Sequence, residues 1–257
     1  MEPILRATDV DVTRGSRHIL RDLSIEVSPG EIVAVVGPNG AGKSSLLAVL
    51  SGELAPASGR VLLDGQPIGR YRPGPLARRR SVLLQSNQVS FPFAVEDIVA
   101  MGRSPWAGTP REEHDEEVIA QSIEKVGIAH LVGRKFTELS GGERARVSLA
   151  RVLAQDTPLV LLDEPTAALD IHHQERVMGI IRSLAREDKA VVVVIHDIAL
   201  AAATADRVVL LVAGEVVADG PPREVLTSER LTDVYGVPIA VWWSDEHQQL
   251  LVVPQRS

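Results

Sequence analysis

Residues 32–44, IVAVVGPNGAGKS, decide how the rest of the sequence is interpreted. The continuous apolar run Ile32–Val36 predicts a central strand that is buried on both faces. The glycine-rich segment that follows fits the pattern G-x-x-x-x-G-K-[ST], and SSLLAVLSG then predicts a helix ending at Gly52. A loop of this kind between a buried strand and a helix predicts a phosphate-binding site and not merely a turn that caps a helix.

The loop contains residues suited to a triphosphate and a divalent cation. Its glycines let the backbone wrap closely round phosphate oxygens, with the positive end of the helix facing the anion. We expect the Lys43 ammonium to reach the β- and γ-phosphates and the Ser44 hydroxyl to bind Mg²⁺, which prefers hard oxygen ligands. The predicted nucleotide contacts in this segment are Gly37, Pro38, Asn39, Gly40, Ala41, Gly42, Lys43, Ser44 and Ser45.

A second, acidic motif lies at residues 159–165, LVLLDEP. It predicts a buried strand that ends in two carboxylates, which is costly unless they meet a cation or polarise water. We therefore predict that Asp163 belongs to the Mg²⁺ shell and that Glu164 orients or deprotonates the water attacking the γ-phosphate. A strand that simply ends in a polar turn would not explain the pairing with a phosphate loop.

A third segment, LSGGE at residues 139–143, opens another predicted helix. Ser140 and Glu143 fit a capping box, and that structural role is sufficient to explain the pair. A helix N-terminus flanked by glycines and a Ser hydroxyl is also an anion site, so both interpretations stay open.

Composition and charge restrict the class of protein. The 257 residues are 45% hydrophobic and 24% charged, which is ordinary for a globular chain and unlike a disordered or coiled-coil protein. A net charge of −7 offers no general attraction for nucleic acid, so we expect no nucleic-acid partner. The absence of cysteine excludes disulfides and thiolate metal sites. With no visible secretion signal and no apolar run of about 18 residues, we expect a cytoplasmic location.

The order of predicted elements indicates an α/β fold. Apolar runs at residues 159–162 and 190–195 flank a helical stretch, and the order strand, helix, strand implies a parallel sheet. The middle of the chain is predicted to be mostly helical, because Ile119, Ile123 and Val126 recur at helical spacing.

These motifs stand in the order found in ATP-binding-cassette ATPases, and the match covers nearly the whole chain. Five features resemble that family's motifs in a single register: GPNGAGKS, Gln85, LSGGE, LLLDEPTAALD and His196. The resemblance implies a P-loop ATPase cassette of α/β class with a mixed, mainly parallel core sheet, an N-terminal antiparallel β lobe and an inserted α-helical lobe. We expect one domain over residues 1–257, with residues 1–85 and 158–257 forming the core and β lobe and residues 86–157 the helical lobe.

The same resemblance implies an ATP-driven homodimer with two nucleotides sandwiched between the copies. The phosphate loop of one copy would face the LSGG segment of the other, so that Ser140, Gly141 and Gly142 act in trans. Asp170 resembles the D-loop aspartate of the family, which lies at the nucleotide site.

Three residues are expected to be catalytic by this resemblance. Gln85 resembles the glutamine that touches the metal and the attacking water, and His196 resembles the switch histidine that contacts the γ-phosphate. Together with Glu164 they form the expected catalytic set. The expected Mg²⁺ ligands are Ser44, Gln85 and Asp163.

The chain departs from the family pattern at the position expected to contact the adenine base. Where the family usually places an aromatic residue, in the segment VTRGSR, this chain has Arg14. A guanidinium can lie flat on a purine ring, so Arg14 is a candidate base contact, and a solvated surface arginine is an equally good interpretation.

Further details indicate which cassettes the chain resembles. Three features resemble ATPases of metal-chelate importers, especially those of haemin. They are the segment AVEDIVAMGRSPW, the glutamate that ends LSGGE and the tail EVLTSERLTDVYGVPIAV. Ferric-siderophore and cobalamin ATPases share much of this pattern. The implied assembly contains two copies of this chain, two copies of a transmembrane permease and a periplasmic or lipid-anchored substrate-binding protein. This chain would lie at the cytoplasmic face of the membrane, with its helical lobe receiving the permease.

Two other functions of a cassette ATPase are alternatives to transport. A non-transport cassette ATPase acting on ribosomes or DNA usually carries two cassettes or a long coiled-coil insertion, and the spacing between Lys43 and Ser140 leaves no room for the latter. A cassette that binds ATP as a switch without hydrolysing it is disfavoured by the intact Glu164 and His196.

Three remaining features are given structural interpretations. His172 and His173 are predicted to lie in the solvated first turn of a helix, not to bind haem. Trp242 and Trp243 predict a terminal hairpin with the strand beyond the turn SDEHQ. The basic cluster at residues 70–80 is predicted to be a solvated charge run rather than part of the docking face for the permease.

Overall fold

The chain folds around two main β-sheets, and the computed structural model describes residues 2–84 and 91–255. In chain order the strands are β1 (Leu5–Arg14), β2 (Arg17–Val27), β3 (Ile32–Val36), β4 (Ser58–Leu63), β5 (Gln66–Pro67), β6 (Arg80–Leu83), β7 (Leu159–Asp163), β8 (Ala190–Val194), β9 (Arg207–Val212), β10 (Glu215–Gly220), β11 (Ile239–Ser244) and β12 (Gln249–Pro254). The α-helices are α1 (Lys43–Leu50), α2 (Pro73–Ala77), α3 (Val95–Ala100), α4 (Asp115–Val126), α5 (Gly141–Ala154), α6 (Ile171–Arg186), α7 (Ile198–Thr204), α8 (Pro222–Val225) and α9 (Ser228–Tyr235).

The larger sheet has the strand order β10-β9-β3-β8-β7-β6. Its five strands from β9 to β6 are parallel, and only β10 joins in antiparallel orientation, among the strands of the described residues. The predicted parallel pairing of β7 with β8 is confirmed. Because the carboxyl ends of parallel strands meet at one edge, the segments that follow β3, β7 and β8 are brought together there.

Strand β3 is buried on both faces, as its apolar run predicts. Val33 and Val35 belong to the core between this sheet and the N-terminal sheet. Ile32, Ala34 and Val36 belong to the second core, beneath the helices. Period-two alternation therefore divides one five-residue strand between two hydrophobic cores.

The N-terminal sheet is antiparallel and has the order β2-β1-β4-β5. Register shifts interrupt the β1–β2 pairing, and Asp9 and Asp22 there have left-handed φ values of 51° and 43°. Such irregularities increase twist and let the sheet curve over α1. The short helix α2, with proline at its start, was not predicted.

The segment between β6 and β7 is largely helical, as predicted. Its helix with Ile119, Ile123 and Val126 begins at Asp115 and ends at the left-handed Gly127. The acidic residues Glu112 and Glu113, just before Asp115, lie in a short 3₁₀ helix.

A buried arginine fastens the C-terminal end of α5. Arg103 is 3% exposed, and its Nε donates to Asp115 at 2.7 Å while an Nη donates to the Ala154 carbonyl at 2.9 Å. The Trp106 indole N–H donates to the Gln155 carbonyl at 2.7 Å. The last carbonyls of a helix have no partner within it, so these two side chains satisfy groups that would otherwise be unpaired.

The predicted terminal hairpin is confirmed. Strands β11 and β12 pair with Trp242 opposite Leu251 and Trp243 opposite Leu250. Trp243 packs towards the core, and the Arg223 guanidinium lies 3.3 Å from the centre of its ring.

The basic cluster is only partly a solvated run. Arg70 and Arg72 are exposed, as predicted. Arg78, Arg79 and Arg80 instead bond to other parts of the chain, namely the Pro105 carbonyl, the Asp64 carboxylate and the Ser51 carbonyl. Within residues 2–84 and 91–255, no helix has the length and apolar character needed to span a bilayer.

Candidate nucleotide site

The phosphate loop runs from the end of β3 to the first residue of α1, which confirms the predicted order of strand, loop and helix. Gly37 passes beside β9 so closely that a Cβ would lie 2.0 Å from the Leu211 carbonyl oxygen. Gly42 is the N-cap of α1, with a left-handed φ of 105°. Both positions therefore exclude ordinary side chains for steric reasons.

The Lys43 side chain curls back inside the loop. Its Nζ donates hydrogen bonds to the Gly37 and Pro38 carbonyls at 2.8 and 3.0 Å, and the residue is 6% exposed. Burial lowers the pKa of Lys43, while the nearby charges of Glu164 and Asp163 act in the opposite direction. The ammonium therefore lies inside the phosphate loop, bonded to its backbone carbonyls.

The N-terminus of α1 has no side-chain cap. Its first backbone N–H groups therefore point out of the helix without a side-chain acceptor, and the helix dipole favours an anion there. A Cβ at Gly40 would meet nothing within 4 Å, so the outer side of the loop is open. This arrangement can bind a phosphate group.

Asp163 ends β7 and is 5% exposed. Its Oδ1 is buried and has no hydrogen-bond partner in the described part of the chain. Burial raises the pKa of this carboxyl, a hydrogen bond from Ser44 lowers it, and the Glu164 charge raises it further. An unpartnered buried carboxylate oxygen beside a serine hydroxyl is a donor set that fits Mg²⁺.

Glu164 follows directly, in a strained backbone conformation. Its φ of 50° lies in the left-handed region, and its N–H donates to the Val194 carbonyl at 3.2 Å. Its Oε1 lies 2.5 Å from Nε2 of His196, which follows β8. Strain of this kind persists only where surrounding contacts hold it, and it is characteristic of functional sites.

The phosphate loop, Glu164 and His196 line one cleft of about 560 Å³, whereas Asp163, which is hydrogen-bonded to Ser44, lines a neighbouring cavity. Lys43 and Ser44 form one side, and Glu164 and His196 approach it from the ends of the neighbouring strands. The complete lining consists of Arg17, Ile19, Asn39, Gly40, Gly42, Lys43, Ser44, Ser45, Glu164 and His196. The structure therefore brings together the loop, Glu164 and His196, which the motifs predicted, and adds a fourth segment at the start of β2.

Sequence reasoning missed two residues of this lining, Arg17 and Ile19. Both lie at the start of β2, whereas Arg14 is exposed at the end of β1 and does not line the cleft. Arg14 and Arg17 face each other across the β1–β2 pairing. A hairpin predicted over residues 10–20 would have raised Arg17 and Ile19 as candidates, since residues two apart on a strand share a face.

The LSGGE segment does not line this cleft in the single chain. Ser140 Oγ accepts from the Glu143 N–H, and the Ser140 N–H donates to Glu143 at 2.7 Å, so the predicted capping box is confirmed. Gly141 instead lines a smaller cavity of about 230 Å³, which Asp163 and Glu164 also line.

Asp170 caps α6, accepting from the His173 N–H at 2.9 Å. His172 and His173 lie in the first turn of α6, as predicted. Gln85 lies outside the described residues.

Comparison with known proteins identifies the family. Residues 20–167 match the sequence model of the ABC transporter family. The chain belongs to this family. The hemin import ATP-binding protein HmuV of Nocardia farcinica is 54% identical over 261 residues, covering 100% of this chain and 91% of that protein.

Solved structures agree on the cassette fold. A chain of an inward-facing transporter, described as metal-chelate type, superimposes with a TM-score of 0.83 at 31% identity, covering 100% of this chain and 98% of that one. The dimeric bacterial ABC transporter cassette MJ0796 gives a TM-score of 0.77 at 27% identity, covering 85% and 99%. The predicted P-loop ABC cassette is confirmed, and its activity is that of an ATPase coupled to transport, with ATP as the nucleotide.

Proposed function

We propose that this chain is the ATP-hydrolysing subunit of a haemin importer. The observation that carries the ATPase assignment is the convergence of Lys43, Ser44, Glu164 and His196 on one cleft. The choice of haemin is supported by the full-length similarity to a hemin import ATP-binding protein.

The proposed reaction transfers the γ-phosphoryl group of ATP to water. Glu164 accepts a hydrogen bond from the attacking water and takes its proton as the new P–O bond forms. His196, 2.5 Å from Oε1, fixes the direction of that carboxylate. The bond to the bridging oxygen breaks, and ADP and phosphate leave.

The phosphate loop supplies the positioning. The Lys43 ammonium would exchange its two carbonyl partners for phosphate oxygens, and the uncapped N–H groups of α1 would hold the β-phosphate. Ser44 and Asp163 are the described residues whose oxygens would hold Mg²⁺, with Gln85 as the third proposed ligand. When bound, Mg²⁺ neutralises charge that develops on the phosphate oxygens.

The proposed working unit contains two copies of the chain, each acting as one domain made of the two lobes. Ser140, Gly141 and Gly142 lie outside the phosphate-loop cleft of their own chain, which supports a role at the cleft of the second copy. Asp170, exposed at the start of α6, would lie near the same junction. The pair would bind two permease subunits at the cytoplasmic face of the membrane, and a substrate-binding protein would deliver haemin from outside.

Substitution Glu164→Gln tests the hydrolytic role. It keeps the size and a hydrogen-bonding side chain but removes the base, so ATP should still bind while turnover falls by about 10² to 10⁴. Steady-state phosphate release and nucleotide binding are the two measurements. Turnover equal to that of the unaltered protein would contradict the assignment.

Mixed dimers test action in trans. When Ser140→Ala chains are mixed with Lys43→Ala chains, only one of the two composite sites in a hybrid dimer combines an intact Lys43 with an intact Ser140. We expect the mixture to regain activity that neither variant has alone. Rates that are simple averages of the two would refute a shared site.

Permease co-purification identifies the cargo. The assembly that copurifies with this chain is placed in liposomes, and ATPase activity is measured with binding protein loaded with haemin, a ferric siderophore or cobalamin. Stimulation by the haemin-loaded protein supports the proposal, whereas stimulation by another chelate alone reassigns the cargo. An assembly without any permease, carrying ribosomal or DNA-binding partners, would instead favour the non-transport function.

A further inference from the structure

The chain between β7 and α6 is folded into two successive turns. The Ala167 N–H donates to the Glu164 carbonyl at 3.2 Å, and the Leu169 N–H donates to the Thr166 carbonyl at 3.1 Å. Residues 166–169, the turn segment, end directly before Asp170, which is the N-cap of α6. Irregular segments with few backbone bonds open at low free energy unless other contacts hold them.

Gln174 holds the turn segment from the first turn of α6. Its Nε2 donates to the Leu169 carbonyl at 3.0 Å and to the Thr166 carbonyl at 3.4 Å. These are the last and the first residue of the turn segment, so one side-chain amide closes it. A side chain of the same length without N–H groups would leave both carbonyls without this donor.

The turn segment packs against the beginning of α5. A Cβ at Gly142 would lie 3.2 Å from the Ala168 carbonyl oxygen and 3.5 Å from the Leu169 side chain. Gly141 at the start of α5 lines the same cavity as Ala167 and Ala168. Because protein interiors are closely packed, a displacement of the turn segment is transmitted to the first turn of α5.

The turn segment and the LSGGE segment both lie outside the phosphate-loop cleft of their own chain. In the described part of the chain, the lining of that cleft includes no residue from 139–143 or 166–170. Glu164 does line the cleft, and it has its own contacts there, with the Val194 carbonyl and with His196. Gln174 therefore braces the part of the chain that is proposed to face the other copy.

We propose that Gln174 is a positioning residue, which fixes the turn segment against α5 so that the LSGGE segment and Asp170 meet the other copy as one rigid unit. The proposal rests on the two-copy working unit proposed above. Gln174 thereby sets the rate of hydrolysis at the cleft of the other copy. A misplacement of about 1 Å in such a constellation can cost about a hundredfold in rate, so bonds that contribute modestly to stability matter here.

Steady-state ATPase rates of the chain assembled with its copurifying permease test the residue. Gln174→Met removes both donors at nearly constant volume and should lower kcat by about three- to tenfold. Gln174→Lys, whose ammonium can donate to both carbonyls, should restore most of the lost rate. Gln121→Met, at an exposed glutamine of α4 whose amide donates to Glu117, is the control and should leave kcat unchanged. A kcat of Gln174→Met equal to that of the unaltered chain, or equal losses in Gln174→Met and Gln174→Lys, would overturn the proposal.

Hybrid assemblies, purified through a different tag on each copy, show at which cleft Gln174 acts. The reference pairs an unaltered chain with a Lys43→Ala chain, so only one cleft has an intact phosphate loop. With Gln174→Met on the chain that keeps Lys43, that cleft is completed by an intact Gln174 in the other copy, and we expect the reference rate. With Gln174→Met on the Lys43→Ala chain, the intact phosphate loop meets the altered turn segment, and the rate should fall by about three- to tenfold.

The opposite pattern would mean that Gln174 acts on the cleft of its own chain, and equal losses in both hybrids would mean a general loss of folding. Either result overturns the proposal. Failure of the two-copy unit is recognised separately. If mixtures of Ser140→Ala and Lys43→Ala chains recover no activity, the shared cleft and the role of Gln174 both fail. If that mixture recovers activity and the two Gln174→Met hybrids do not differ, only the role of Gln174 fails.

Discussion

Two helices of this chain begin with glycine-flanked turns, and their N-termini are prepared in opposite ways. Helix α1 starts at Gly42, which brings no side chain, so its leading N–H groups have no side-chain acceptor. Helix α5 starts at Ser140, whose hydroxyl and the Glu143 carboxylate form a reciprocal capping box. Both ends carry the positive pole of a helix dipole.

The N-terminus of α1 is open to an anion, whereas the N-terminus of α5 is already bonded to side chains of its own segment. At α1 the donors are already directed at the position of a phosphate, and Lys43 lies in the same curve. At α5 one backbone donor is bonded to the Ser140 hydroxyl at 3.3 Å, so a ligand there must compete with an internal cap. A single chain therefore has an uncapped helix N-terminus at its phosphate loop and a capped one at α5.

The C-terminal end of α5 is bonded to side chains from outside the helix, those of Arg103 and Trp106. Removing the Arg103 contacts should give the largest loss of stability. Arg103→Met leaves the Ala154 carbonyl without its partner and Asp115 without its cation. We expect a loss of about 2–4 kcal/mol in the free energy of unfolding, because buried polar groups lose their bonds. Urea unfolding measures it. Arg111→Met, at an exposed arginine over the same Trp106 ring, should cost under about 1 kcal/mol, and equal costs would contradict the inference.

At the α1 end, Lys43→Ala removes the cation that completes the open site. Charge-assisted bonds to phosphate are strong, so nucleotide affinity should fall by about 10- to 100-fold. Titration with a fluorescent nucleotide measures the change. Lys125→Ala, which removes an ion pair with Glu187 far from the loop, is the control, and persistent binding by Lys43→Ala would count against the loop as the phosphate site.

At the α5 end, Ser140→Ala removes the cap and should lower stability by about 1 kcal/mol. Ser140→Asp restores a capping side chain while adding negative charge where the partner's nucleotide is proposed to lie. We therefore expect Ser140→Asp to recover the melting temperature but not the ATPase activity of the dimer. Recovery of both would mean that Ser140 acts only as a cap.

The smallest expected effect is a dependence on pH at the same cap. The bond from the Ser140 N–H lowers the pKa of Glu143 below its ordinary value. A depressed carboxyl pKa stabilises the fold above the unfolded-state value, and that stabilisation is lost as pH falls through the folded-state value. Melting temperatures recorded from about pH 6 down to about pH 4 should fall less steeply for Glu143→Gln than for the unaltered chain. Equal slopes for Glu143→Gln and the unaltered chain would contradict this assignment.

Much of the local structure could be predicted because it depends on short-range patterns. The run Ile32–Val36, the capping box at Ser140 and the terminal hairpin were each specified by neighbouring residues, and each formed as expected. The roles of Arg78, Arg79 and Arg80 were not predictable in this way. Their partners lie 15 to 29 residues away in sequence and depend on how α2 and β6 pack.

The sequence by itself determined the phosphate loop, the paired carboxylates and the family, because these rest on residue types at fixed spacing along one segment. Only the tertiary structure decided that Glu164 is strained and lies against His196, and that Arg17 instead of Arg14 reaches the cleft. The physical reason is that parallel strands bring distant segments to one edge. The direction of each side chain there is set by backbone torsion and strand register, which residue spacing alone does not encode.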